Sequence, residues 1–197
     1  AVYKNTNYDM RQYKHLHMFA HAQQIADDNS NLKDYELTAF IRMGSDLTNN
    51  YYEYEVPLKL TDAGHYQQGS DKDRATIWPA ENEFNIALKV LTDLKKHRNA
   101  ERGTNTGVSL TTPYIYYDPA NPKNKVTVLG NPNLANVQSI MIGVRNNGRT
   151  LKNGEVWLDE LSLNEFDEGG GWAGTANTSI ALSDLGTVNA SGRFVTA

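Results

Sequence analysis

Polar and apolar residues alternate with a period of two along several short stretches of the chain, the pattern of half-buried β-strands. The first covers 13–21, where Leu16, Met18 and Ala20 alternate with His15, His17 and Phe19. The second covers 36–43 and is closed by Gly44-Ser45-Asp46 and the Asn49-Asn50 pair. A third, 51–56, ends at Pro57 and puts Tyr52, Tyr54 and Val56 on one face, Tyr51, Glu53 and Glu55 on the other. The short Asn-rich connection predicts that these last two form a hairpin. Residues 61–76 are polar and read as loop. Beyond Trp78-Pro79 the alternation of Phe84, Ile86 and Leu88 gives way to Leu88, Leu91 and Leu94, with Lys95, Lys96 and Arg98 following. That change predicts a short strand feeding a short helix, its basic end complementing the helix dipole.

The stretch 99–136 is loop-rich, with short strands predicted at 114–117 and 125–129. Stronger strands follow at 137–144 and 155–163, separated by Asn146-Asn147-Gly148 and Asn153-Gly154 turns. Many short strands, Gly/Asn turns and one helix predict a mainly β fold, a jelly-roll-like (galactose-binding-like) β-sandwich over 1–166. Trp157, Phe40, Tyr52 and Tyr54 are its expected core residues; Glu53 and Glu55 are expected at the surface, paired with Lys59 or Arg42. The composition shifts after Phe166. Residues 167–174, with Gly169-Gly170-Gly171-Trp172, read as a hinge, and 175–197 as a β-hairpin. In that hairpin Val188, Ala190 and Phe194 alternate with Thr187, Asn189, Ser191 and Arg193. Such a pattern fits strands of a large outer-membrane β-barrel and equally an edge hairpin of a soluble domain.

Composition removes several function classes. Among 197 residues there is no cysteine, so disulfides, thiolate zinc sites and thiol nucleophiles are excluded. With 19 Lys+Arg against 23 Asp+Glu, the net charge of −4 argues against nucleic acid as a partner. No apolar run is long enough for a transmembrane helix, and no signal-peptide pattern is present. The chain opens Ala1-Val2-Tyr3 without an initiator Met, as expected of a processed or excised piece of a longer polypeptide.

Candidate chemistry is sparse. His15, His17 and His21 share a strand face, but His21 stands too far along an extended strand to join a metal held by the other two, and a solvent-facing or hydrogen-bonded role explains all three. Glu53 and Glu55 adjoin on one strand, whereas glycoside hydrolysis needs carboxylates facing each other across a cleft. Asp46, Thr48, Asn49 and Asn50 form an oxygen-rich turn. Calcium, were it bound, would take Asp46, Asn49 and Asp159; turn chemistry accounts for these residues without an ion. No metal or other cofactor is therefore assigned. Tyr51, Tyr114 and Tyr116 are the candidates for stacking on a sugar ring, with Tyr117, Trp78 and Trp172 as possible companions. The chain has no Gly-x-Ser-x-Gly, no phosphate loop and no Gly-x-Gly-x-x-Gly, and no catalytic residue is assigned. The expectation is a non-enzyme.

Longer stretches carry a resemblance. His17-Met18-Phe19-Ala20-His21, Ala39-Phe40-Ile41-Arg42-Met43-Gly44-Ser45-Asp46, Asn50-Tyr51-Tyr52-Glu53-Tyr54-Glu55, Val156-Trp157-Leu158-Asp159-Glu160-Leu161, Asn164-Glu165-Phe166-Asp167-Glu168 and Gly170-Gly171-Trp172-Ala173 together resemble the SprA/Sov family of Bacteroidetes. The resemblance covers about residues 13–194. It implies a segment of a very large outer-membrane β-barrel, the protein-conducting translocon of the type IX secretion system, linked to secretion and gliding motility. Implied partners are other components of that system and its secreted cargo, with the outer membrane reached through the parent barrel and this domain on the extracellular side. It carries over no catalytic or cargo-binding residue. A looser likeness to carbohydrate-binding modules, through 156–161, gives the alternative expectation of a glycan-binding sandwich.

Overall fold

The computed structural model describes residues 1–25, 31–105, 107–166, 173–182 and 186–195. The chain divides into two compact units, Ala1–Phe166 and Asp167–Ala197. Residues 167–172 of the expected hinge, Trp172 among them, lie outside the described residues.

The first unit is mainly β. Its strands are β1 (Val2–Tyr8), β2 (Tyr13–Gln24), β3 (Leu37–Gly44), β4 (Tyr51–Pro57), β5 (Phe84–Ala87), β6 (Tyr114–Tyr117), β7 (Lys125–Leu129), β8 (Val137–Asn146) and β9 (Gly154–Phe166). They form two antiparallel sheets, a six-stranded one in the order β1-β8-β3-β4-β7-β6 and a three-stranded one in the order β5-β2-β9. The hairpin of β3 and β4 pairs Ile41 with Tyr54 and Met43 with Tyr52. Alternate residues from both sheets supply the core: Leu16, Met18 and Ala20 from β2, Ala39, Ile41 and Met43 from β3, Tyr52, Tyr54 and Val56 from β4. This is a β-sandwich.

Two helices join it, α1 (Asp71–Ile77) and α2 (Leu88–Arg102). In α2, Leu88, Leu91 and Leu94 face the core as their spacing predicts. Arg98, read from the sequence as part of the basic helix end, is buried inside a helix that runs on to Arg102: its guanidinium donates to the Gly130 carbonyl (2.6 Å) and to Asn99. Desolvation lowers its pKa, and the charge of Arg102 adds to the effect. The 61–76 stretch is not all loop, since α1 begins inside it. Ser70 caps that helix by accepting the Asp73 amide, and acidic Asp71 and Asp73 sit in the first turn. None of its residues is buried, so it leaves no apolar period in the sequence.

Strand β9 carries a bulge. His17 pairs with Ser162 and Phe19 with Asp159, so the step of two residues on β2 meets a step of three on β9. Glu160, at φ +55°, absorbs the extra residue. The bulge switches the inward parity from Val156 and Leu158 to Leu163, all of which pack against the core. Trp157, expected in the core, falls on the opposite parity and is 49% exposed. Tyr52 and Tyr54 are buried in the core as expected, whereas Phe40, though buried, alternates with the core residues Ala39 and Ile41 and lies on the outward face of β3.

The second unit pairs β10 (Ala173–Leu182) with β11 (Gly186–Val195), in unbroken antiparallel register from Ala173 opposite Val195 to Leu182 opposite Gly186. Ile180 stands opposite Val188 and Gly174 opposite Phe194, while Ser179 stands opposite Asn189 and Asn177 opposite Ser191.

Candidate functional site

The outward face of the six-stranded sheet is closed by its own charges. Glu53 and Glu55 alternate with the core tyrosines of β4, yet each is only 4% exposed, which corrects the expectation of a charged surface. The reason is a cover assembled from neighbouring strands. Arg42 of β3 donates through Nε to Glu53 (2.7 Å) and through Nη1 to the Leu47 carbonyl (2.6 Å). Lys125 of β7 reaches Glu55 at 2.7 Å. Arg145 of β8 crosses β3 to bind both, at 3.1 Å from Glu53 and 2.7 Å from Glu55. Burial lowers the pKa of Arg145, but the two carboxylates outweigh it and the net shift is upward. On its way the Arg145 guanidinium lies 4.6 Å from the centre of the Phe40 ring, and Phe40 itself packs over Gly143, where any Cβ would meet the ring at 2.7 Å. Of the partners expected for the glutamates, Arg42 is present; Lys59 pairs with Glu81 instead.

The sugar-stacking candidates do not share a face. Tyr51 points outward from β4 beneath the Arg42 guanidinium, 3.9 Å from the ring centre. Tyr114 and Tyr116 pair with Val128 and Val126, residues of the core side. The Tyr114 hydroxyl donates to Glu101 (2.5 Å), and Tyr116 stacks on His97. Tyr117 is exposed on β6.

The calcium candidates are likewise separated. Asp46 and Asn49 occupy the turn between β3 and β4, whereas Asp159 lies on β9 of the other sheet. The Asp46 carboxylate accepts the amides of Thr48, Asn49 and Asn50 and the side-chain amide of Asn50. Those donors, the Asn49 amide foremost, hold its pKa at about 2. The turn is pressed against bare backbone: a Cβ on Gly44 or Gly130 would meet the carbonyl of Asn50 or Asn49 at 2.0 Å.

The outward face of the three-stranded sheet is built differently. His15 donates to Asn85 (2.7 Å), His17 to Glu83 (2.5 Å) and His21 to the Ile77 carbonyl (2.7 Å), so each histidine has its own partner. No group of three or more His, Asp or Glu able to hold a metal occurs among the described residues. The rings form a continuous strip: His17 meets Phe19, Phe19 meets Trp78, Trp78 meets His21, and His21 meets Trp157. Beside the strip a cleft of about 510 Å³ lies between Phe19, Trp78, Asp71, Arg74, Asp159 and Glu160. Pattern reading had named Trp78 as a possible companion but missed the cleft, because α1 and the β9 bulge that frame it leave no periodic signal.

A third feature is apolar. Between β1 and β9, at the edge where the two sheets part, a cleft of about 570 Å³ is lined by Val2, Tyr8, Met10, Ile140, Ile142 and Leu163 among others. Val2, Tyr3, Tyr8 and Leu161 are exposed there, and β1 and β9 are both terminal strands of their sheets.

Fold and surfaces together define a mainly β module of two antiparallel sheets, with a separate two-stranded ribbon. The family model SprA_N, described as motility related/secretion protein, matches residues 1–197, and the chain belongs to this family. No curated protein matches the chain.

Proposed function

We propose that this chain is a non-catalytic structural segment of the outer-membrane, protein-conducting translocon of the type IX secretion system, serving protein secretion and gliding motility. The family membership over the whole chain carries the reading. Two structural features support it. Strands β10 and β11 are each 10 residues long, the length of a transmembrane β-strand, and their register sets apolar or small residues opposite one another in alternate rungs. The sandwich ends in two terminal strands flanking an apolar cleft, a surface suited to packing against further protein. On this reading the segment shapes or caps the pore on the extracellular side and offers surfaces to other secretion components and to cargo.

The test is an immunoblot of fractionated cells with antibody raised against this segment. A band far above 22.0 kDa in the outer-membrane fraction is the expected result. A band near that mass in a soluble or secreted fraction overturns the proposal.

A further inference from the structure

The cleft on the three-stranded sheet has a chemistry of its own. Its walls are Phe19 and Trp78, whose ring centres are 6.1 Å apart and whose planes meet at 64°. Two rings at that angle make a corner and not a platform. A pyranose needs a flat ring face on which to lie, whereas a compact cation gains from every ring face it approaches. The charge around the corner points the same way. Arg74 turns to Asp71 at 3.3 Å. Asp159 and Glu160 have no ion-pair partner among the described residues, and the Asp159 carboxylate accepts the adjacent Glu160 amide at 2.9 Å. With Asp71, Asp159 and Glu160 set against Arg74, the cleft presents a net negative lining beside two aromatic walls. Its volume, about 510 Å³, lies within the range of pockets that take small ligands or single side chains.

The position of the cleft selects the source of the cation. Asp159 and Glu160 belong to β9, the terminal strand of its sheet, and most of that strand is exposed. An extended chain can add to such an edge through its backbone while one side chain turns into a neighbouring pocket. We propose that the cleft receives a lysine or arginine side chain from an extended basic segment of a partner polypeptide running along β9. The charge and the aromatic corner supply specificity for the cationic head, and the strand edge supplies the chain direction. This holds whether or not the parent chain is a translocon, so the fractionation test and the test below fail independently.

Tetra-arginine and tetra-lysine peptides are titrated into the full chain, with tetramethylammonium and neutral maltotriose and cellotriose as contrasts. Calorimetry and tryptophan fluorescence report binding at low and at 300 mM salt. The expected result is saturable peptide binding, weakened about tenfold or more by the salt. The paired substitution Asp159→Asn/Glu160→Gln is expected to weaken it by a similar factor with an unchanged thermal melt. Trp78→Leu, which removes one wall, is expected to weaken peptide binding as well. Failure of both peptides to bind overturns the proposal, as does peptide binding untouched by the Asp159/Glu160 pair. Binding of tetramethylammonium without the peptides overturns the partner-segment assignment. Salt-insensitive binding of an oligosaccharide at the same residues transfers the cleft to glycan.

Discussion

The two sheets turn opposite characters outward. On the six-stranded sheet every outward carboxylate of β4 is matched: Glu53 by Arg42 and Arg145, Glu55 by Lys125 and Arg145. On the three-stranded sheet the carboxylates of the β9 bulge, Asp159 and Glu160, have no ion-pair partner among the described residues and lie beside the half-buried rings of Phe19 and Trp78. Both faces use the same residue types on alternating strands. What separates them is the number of neighbouring strands able to deliver a cation. Strand β4 is flanked by β3 and β7, with β8 one strand further, whereas β9 has a neighbour on one side only. A central strand gathers cross-strand partners and becomes structure; an edge strand keeps its charge available for something else.

The largest effect expected from breaking this contrast follows the double substitution Arg42→Ala/Arg145→Ala. It strips Glu53 of both cations and leaves Glu55 with Lys125 alone. Leaving a buried charge unpaired costs about 3–5 kcal/mol, which urea unfolding of the full chain will show. The matching change on the other face, Asp159→Asn/Glu160→Gln, removes charges without partners and is expected to stay within about 0.5 kcal/mol. Equal costs on the two faces would remove the distinction.

The contrast also marks how far the sequence could be read. Period-two alternation located β2, β3, β4, β8 and β9, and the change of period at Leu88 located the start of α2, because in each a buried stripe imposes a repeat. Strand β1 and helix α1 bury nothing fully, so no repeat exists to find. Alternation also says which residues share a face without saying what covers it. Glu53 and Glu55 read as surface because their cover includes Arg145, 92 residues from Glu53, and such a pairing follows from strand order alone. Trp157 shows the converse. Its neighbours Val156 and Leu158 take the inward places, so alternation itself opposed the core expectation for Trp157. The Asp159 bulge was illegible for another reason: its signature is a parity change between Leu158 and Leu163, visible only once the β2 register is known.

A smaller effect tests the packing beneath the charge cover. Gly143→Val places atoms within 2.7 Å of the Phe40 ring and displaces the ring over which Arg145 reaches β4. Overpacking of this kind costs about 1–3 kcal/mol. Trp157→Ala, on the open face, is expected to cost about 1 kcal/mol, since the ring is half exposed, against about 3–5 kcal/mol for Phe84→Ala in the core. If Trp157→Ala matched Phe84→Ala, the aromatic strip would be a structural element and not a surface.

The smallest effect concerns Asp46 and is read as a pH dependence. Asp46 and Asp159 look alike in sequence, both acidic residues beside other oxygen-bearing side chains. In the structure Asp46 is saturated by donors, with the Asn49 amide and the Asn50 side chain leading, and its pKa falls from 3.8 to about 2. A carboxylate whose pKa is lower in the folded chain stabilises it above the unfolded value and loses that contribution as the pH falls through the folded one. The stabilisation from Asp46 is therefore complete above 3.8, fades between 3.8 and about 2, and is gone below. Asp46→Asn keeps a carbonyl acceptor and removes the charge. The stability difference between the parent chain and this variant should thus be largest at neutral pH and shrink across that window. A difference constant from neutral pH to 2 would place the value of Asp46 in the shape of its turn and not in its charge.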